Sequence, residues 1–350
     1  MKIDVFCDVI DNYGDAGVCL RLCRDLCNKK LQVRLFCNNL SALSKIKNSK
    51  DDDIDNLSIY KWPSKKELEN FVYESSDVVI QAFSTRLPEI IFNKIKEKKS
   101  LVINLEYLTA ERFADDCHKL PSFSDGYQSY FFFPGFTNKT GGVTIEDEFI
   151  KKLNKQITKT SVTLFSYENE NIKDVVDSLK KLDFLIDIYI FEGRALNNFN
   201  NLYKKNMVPG DNFKDKNICF IAKQMVSQDE YDELLINSYI NLVRGEDSIV
   251  RAMLTGRPFL WHIYFQEENA HKDKINALFD RMKEVVDDNE GIEIFREINL
   301  NYNNFGNKKI LKDLHLNITR IEKICKKWQQ HLLSLGSLSD NLLTFIREKI

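Results

Sequence analysis

The sequence predicts an α/β protein of two similar-sized domains, each a parallel sheet covered by helices on both faces. Three observations carry this reading. Short apolar runs alternate with helical patterns through both halves, the signature of parallel strands joined by crossover helices. The 350 residues exceed one ordinary domain. The alternation pauses at a Gly- and Pro-bearing region, FFFPGFTNKTGGVTIEDEF, and restarts at TSVTLFSY. The boundary is therefore placed near residue 150. Domains are expected over 1–150 and 151–335, with a helix at 336–350 able to cross back onto the first.

The first apolar run, Val5 to Ile10, reads as a buried strand. It breaks at Asp11-Asn12-Tyr13-Gly14-Asp15, and a helical pattern begins near Gly17-Val18. VRLFCN (33–38), DVVIQAF (77–83) and SLVINLEYL (100–108) follow as strands. Between them SKKELENFVYES is helix-like or charged, and KNSKDDDIDN reads as a solvated loop. In the second half, TSVTLFSY (160–167), LIDIYIF (185–191), KNICFIA (216–222), YINLVR (239–244) and PFLWHIY read as strands. Helices are expected at 171–182, near 228–236, at SIVRAMLTG, and at 310–335 and 338–350.

Composition excludes several classes. Hydrophobic residues make up 43%, charged residues 29%, and the net charge is −2. That balance fits a globular protein and argues against a general nucleic-acid or membrane-surface binder. The start MKIDVFCDVID is a strand rather than a signal peptide, and no apolar run approaches the roughly 18 residues that span a bilayer. Eight scattered cysteines suit reduced thiols in a cytoplasmic protein. Cys19, Cys23 and Cys27 repeat every four residues with Leu22 and Leu26, a buried helix stripe far more readily than a zinc site.

Two turns carry chemistry. In NLVRGEDSIVRAMLTG, a strand ends at Arg244 and Gly245 permits a sharp turn. Glu246, Asp247 and Ser248 then open a helix. Acidic residues suit a first turn for their own sake. The free N–H groups there, joined by the Arg244 cation at a strand end of an open α/β sheet, make an anion site able to hold a diphosphate. Glu246 could then accept a hydrogen bond from a sugar hydroxyl. The first turn has the opposite sign. Asp11 and Asp15 would repel a pyrophosphate and welcome a cation. Asp15 as a helix cap would explain one aspartate but not the pair. DDD at 51–53 resembles a metal-binding DxD motif, but its polar surroundings favour a solvated loop. His262 and His271 flank the second turn and read as hydrogen-bonding walls, while Trp261, Tyr264 and Phe265 shape or support it.

Six stretches then show a resemblance: DNYGDAGVCLRL, YLTAERFADDCHKLPS, FFFPGFTNKTGGV, QDEYDELL, NLVRGEDSIVRA and GRPFLWHIYFQEENAHKDKINAL. In motifs, order and spacing the chain resembles the bacterial protein-arginine rhamnosyltransferases that modify translation elongation factor P. It departs at Ala16, Leu20 and Phe265, where no reactive group is lost. The resemblance implies a GT-B glycosyltransferase fold, two facing Rossmann-like domains with an interdomain cleft. It implies inverting, metal-independent transfer from dTDP-β-L-rhamnose to an arginine side chain of elongation factor P, activating that factor for translation. No cofactor beyond the donor, no nucleic acid and no membrane is implied. Residue by residue, Asp15 becomes the catalytic base, Asp11 its support and Glu246 a further essential acid. Asn12, Gly14, Tyr167, Gln228, Arg244, Gly245, Asp247 and Ser248 line the donor site.

Other readings differ in class. A non-catalytic module would bind a nucleotide-sugar or a protein without turnover. A GT-B transferase with a carbohydrate acceptor would differ only in acceptor. A nicotinamide-linked oxidoreductase fails on the charge of the first turn and the missing G-x-G-x-x-G.

Overall fold

Alternating strands and helices give two compact units in the computed structural model, Met1–Glu146 with Leu335–Ile350, and Asp147–Ser334. The structure describes all residues except 10–12, 64–65, 69–70, 124–125, 154–159, 265–268 and 307–308.

In the first unit the elements run β1 (Lys2–Cys7), α1 (Gly14–Asn28), β2 (Gln32–Cys37), α2 (Leu40–Ile46), β3 (Leu57–Lys61), β4 (Val78–Ala82), α3 (Glu89–Lys98), β5 (Leu101–Leu105), α4 (Phe113–Cys117), β6 (Pro121–Ser122) and β7 (Ser129–Phe132). The sheet order is β3-β2-β1-β4-β5-β7-β6. All pairs are parallel except β6 with β7. Strands buried on both faces explain the unbroken apolar runs. One face packs Phe6, Phe36, Tyr73, Val79, Ile91, Ile95 and Val102 together. The other receives Cys19, Cys23 and Cys27 of α1, all buried free thiols.

The second unit begins with α5 (Asp147–Leu153), β8 (Ser161–Leu164), α6 (Ile172–Leu179), β9 (Ile186–Phe191), α7 (Arg194–Tyr203), β10 (Asn212–Asp215) and β11 (Ile218–Lys223). It continues with α8 (Gln228–Ile236), β12 (Ser238–Arg244), α9 (Gly245–Leu254), β13 (Phe259–His262), α10 (Ala270–Val285), α11 (Asn289–Tyr302), α12 (Lys309–Lys312) and α13 (Leu314–Ser334). Its sheet order is β10-β11-β9-β8-β12-β13, parallel except for the β10–β11 hairpin. The last helix, α14 (Leu338–Lys349), returns to the first unit. There Ser339 Oγ donates to the buried Asp25 carboxylate of α1, and Lys29 Nζ lies 2.8 Å from Asp340.

Each sheet has one point where the chain stops moving outward and returns to the middle. In the first it lies between β1 and β4, in the second between β8 and β12. Ligands of open α/β sheets enter just beyond the carboxyl ends of strands at such points.

Several expectations change. The stretch FFFPGFTNKTGGVTIEDEF contains the junction of the units, after Glu146, but its larger part is no linker and completes the first unit. Phe132, Phe133, Phe136 and Val143 are buried there, and Leu338 N donates to Val143 O at 2.8 Å. SKKELENFVYES, read as helix-like or charged, forms no α-helix in its described residues, which are turn, a 3-10 position at Leu68 and coil, with Tyr73 in the core. KNSKDDDIDN is not wholly solvated. Residues Ser49–Asp53 form a short 3-10 helix in which Asp51 is buried and accepts from Arg24 Nη2 at 2.8 Å. Among the described residues no group of three His, Cys, Asp or Glu side chains gathers as a metal site, and no helix is long and apolar enough to cross a membrane.

Candidate active site

In the first unit the acidic turn follows β1, and Asp11 and Asn12 lie outside the described residues. Gly14 opens α1, three residues earlier than the sequence pattern suggested. Tyr13 takes the cap position without a side-chain cap bond. Asp15 is therefore not the cap: it is the second helical residue, 4% exposed, in the first turn where the helix dipole favours an anion. Hydrogen bonding with Cys19 raises the Cys7 thiol well above its usual pKa, and burial and the Asp15 charge add to it. Asp15 thus lies by the carboxyl end of β1.

The neighbouring strand ends are tied to the same place. Asp8 N donates to Thr85 Oγ1 at 3.2 Å, Val9 N donates to Asn38 Oδ1 at 2.9 Å, and Asn38 Nδ2 donates to the Asp8 carboxylate. After β4, Phe83 and Ser84 adopt φ values of 58° and 57°. Two successive non-glycine residues in the left-handed region cost about 1–3 kcal/mol each and concentrate at functional sites.

In the second unit Tyr167, Gln228, Arg244, Gly245, Glu246, Asp247 and Ser248 gather at the β8–β12 switch point. Arg244 ends β12 and precedes α9. Gly245 turns the chain at φ 67°, a conformation that favours glycine. Its carbonyl accepts from Trp261 Nε1 at 3.1 Å. Glu246 and Asp247 are half-buried in the first turn of α9, and Ser248 is buried behind them. Gln228 opens α8 next to a Ser227–Glu230 capping box, and its Nε2 lies 3.4 Å from Asp247 Oδ2. Two helix N-termini therefore converge, each presenting free backbone N–H groups.

Arg244 is held by rings. Its guanidinium carbon lies 4.4 Å from the Phe165 centroid and 4.6 Å from that of Tyr167. A second guanidinium, Arg194 at the start of α7, lies 4.9 Å from the same Tyr167 ring. Arg194 Nε donates at 2.9 Å to both carboxylate oxygens of Glu168. Arg194 and Glu168 were not anticipated from the sequence. FEGRALNN carries no local signal, and only the β8–β9 pairing brings α7 to this end of the sheet.

His262 pairs with Arg244 in register and packs edge-on against Tyr167 and Tyr302. Burial, then the Arg244 charge, lowers its pKa to about 4, so it is neutral at pH 7. It is a polar wall, and so is Tyr264, whose ring meets Tyr167 at 5.6 Å. His271 packs on Phe305. Phe265 lies outside the described residues.

The second unit's sheet end thus presents two guanidiniums, two helix N-termini and acidic side chains able to accept from hydroxyls. That set suits a nucleoside diphosphate bearing a sugar. The first unit's turn offers a buried carboxylate instead.

Comparisons with known proteins identify the family. The protein-arginine rhamnosyltransferase of Pseudomonas aeruginosa is 35% identical over 306 residues, covering 79% of this chain and 80% of that protein. The Shewanella oneidensis protein of the same name is 28% identical and covers 99% of this chain and 97% of its own. Among solved structures, one described as the structural basis for EarP-mediated arginine glycosylation of translation elongation factor EF-P matches with a TM-score of 0.65. It shares 21% identity and covers 100% of this chain and 99% of that one. The glycosyltransferase VinC in complex with DTDP matches at 0.54 with 12% identity, covering 99% of each chain. These likenesses show the GT-B fold. A family profile described as Elongation-Factor P (EF-P) rhamnosyltransferase EarP matches residues 3–347. The chain belongs to the EarP family of EF-P rhamnosyltransferases.

Proposed function

We propose that this chain is a protein-arginine rhamnosyltransferase whose acceptor is an arginine side chain of elongation factor P and whose donor is dTDP-β-L-rhamnose. The observation that carries the reading is the family match across residues 3–347. The two sheet ends support it chemically, one offering a carboxylate to a cation and the other offering cations to a diphosphate.

An arginine guanidinium keeps its proton above pH 12, so an ordinary carboxylate cannot remove it in the ground state. In the proposed mechanism Asp15, supported by Asp11, holds the guanidinium by charge-assisted hydrogen bonds and polarises one nitrogen. That nitrogen attacks the anomeric carbon as the carbon–oxygen bond to the diphosphate breaks, giving an inverted, α-linked product. The proton passes to Asp15 late, once C–N bond formation has made the nitrogen acidic. Arg244 and the N–H groups of α8 and α9 stabilise the departing dTDP, which is why no metal is assigned to the step. Glu246 and Asp247 accept hydroxyls of the donor, and Tyr167, Gln228 and Ser248 bound its site; the family resemblance adds Asn12 and Gly14 as donor-binding residues. The reaction belongs in the cytoplasm, where its translation-factor substrate works.

Intact-mass analysis of elongation factor P after incubation with this protein and dTDP-rhamnose tests the reading. One added deoxyhexose on an arginine is expected. Asp15→Asn keeps the shape of the base but removes its charge. It should slow transfer by about 10²–10⁴-fold with the donor KM retained. No increment from the wild-type chain would favour a non-catalytic binder, and a wild-type rate in Asp15→Asn would refute the base assignment.

A further inference from the structure

A cavity of about 690 Å³ opens at the carboxyl ends of β4 and β5 in the first unit. Gln81, Asn104 and Glu106 line it from the strands and strand ends, and Arg86, Asn93 and Lys96 line it from α3 and the loop before it. It has no part in the mechanism above. Its size suits a bound segment rather than an ion.

Two features give it a chemistry. The first is Glu106, directly after β5, half-buried, with no hydrogen bond or ion pair to its carboxylate among the described residues. Burial raises its pKa above the usual carboxylate range, and neither Arg86 nor Lys96 offsets that. A partly buried carboxylate without a partner is costly until a cation arrives. The second is continuity with the acidic turn. Thr85 lines the cavity and also accepts from Asp8 N just before that turn, and the left-handed pair Phe83–Ser84 leads into it. The Asp8–Thr85 hydrogen bond ties the cavity wall to the segment that follows β1.

We infer that this cavity seats the part of the acceptor protein next to the target arginine, with Glu106 receiving a second basic side chain. The inference rests on the acceptor reading above. Strands β1, β4 and β5 are neighbours about 4.8 Å apart, so Glu106 stands about 10 Å along the sheet from the end of β1. One guanidinium cannot engage both Asp15 and Glu106. The occupant therefore presents two cations, the reacting arginine and a lysine or arginine about 10 Å away. Gln81 and Asn93 offer amide groups to the backbone between them.

The test is steady-state transfer with unmodified elongation factor P as the varied substrate. Glu106→Gln preserves volume and removes the charge. It should raise the KM for elongation factor P by about tenfold or more, with kcat within about twofold and the donor KM unchanged. Asn93→Arg, at an exposed helix position, should raise the same KM by filling the cavity mouth with a competing cation. Thermal melting checks that both variants fold. If the wild-type chain transfers and both variants keep its acceptor KM, the inference is overturned while the functional reading stands. If the wild-type chain does not transfer at all, both fall together.

Discussion

Arg194 is held on one side by both oxygens of Glu168 and on the other by the Tyr167 ring that also carries Arg244. A charge fixed in this way at a strand end is ready for an anionic ligand, and Glu168 keeps it in place without fully burying it. Arg194→Ala should therefore raise the donor KM about 10–100-fold, the worth of a hydrogen bond to a charged group. The acceptor KM should stay unchanged. Donor and acceptor titrations of the transfer reaction check this. Arg244 was legible in the sequence because it abuts a strand end, a glycine and an acidic first turn. Arg194 was not, since its partners Tyr167 and Glu168 lie far from it in the chain and meet it only through sheet pairing. Asp15 was legible as chemistry but misread as geometry. The helix starts at Gly14, so the carboxylate sits inside the first turn rather than before it.

At the scale of elements, most strands were readable because buried parallel strands are continuous apolar runs. What failed were elements whose apolar residues face one side only or arrive late. β3 has a half-exposed pattern that propensity does not separate from loop. β7 hides in a Phe- and Gly-rich stretch that looks like a linker. The edge strand β13 shows how a sequence can specify more than a pattern reveals. Asn299 of α11 and Asn303 at its C-cap, one turn apart, bind β13 and the residue after it through Trp261 N, Ile263 N and Trp261 O at 2.9, 3.1 and 2.7 Å. They satisfy an edge that would otherwise invite another chain. In the first sheet, buried Asp4 of β1 plays a comparable internal role. It accepts two bonds from Arg34 of β2 and one each from Tyr73 and Ser76, all at 2.7 Å. Asp4→Ala leaves that guanidinium without its carboxylate in a largely dry site. It should cost about 3–5 kcal/mol of stability, measured by denaturant unfolding.

For the whole molecule, acid is one condition to which the fold is exposed through its buried histidines. His262 is buried and neutral with its pKa lowered to about 4, and burial lowers His118 likewise to about 4. Between that value and an unfolded pKa near 6.5, the unfolded chain binds protons that the folded chain does not. Stability is therefore whole above pH 6.5 and falls as pH drops toward 4. His262 alone contributes a slope of about 1.4 kcal/mol per pH unit, with His118 acting in the same direction. Thermal melts from pH 7.5 to 4.5 should show the decline, and His262→Gln should flatten it. The two-unit plan was legible from the restart of the alternation at residue 160, and the helix expected at 336–350 does return to the first unit, through contacts such as Asp25 with Ser339 that the sequence pattern does not show.

That return has a consequence for how the protein is made. The second unit, Asp147–Ser334, is inserted between two pieces of the first. As the chain leaves the ribosome, the second unit is fully synthesised before α14 arrives to cover α1. The half that emerges first is thus the last to be completed, and until then Tyr130 and Phe132 of β7, which receive the Phe345 ring, and the face of α1 that meets Ser339 and Asp340 stand uncovered, a natural target for a chaperone.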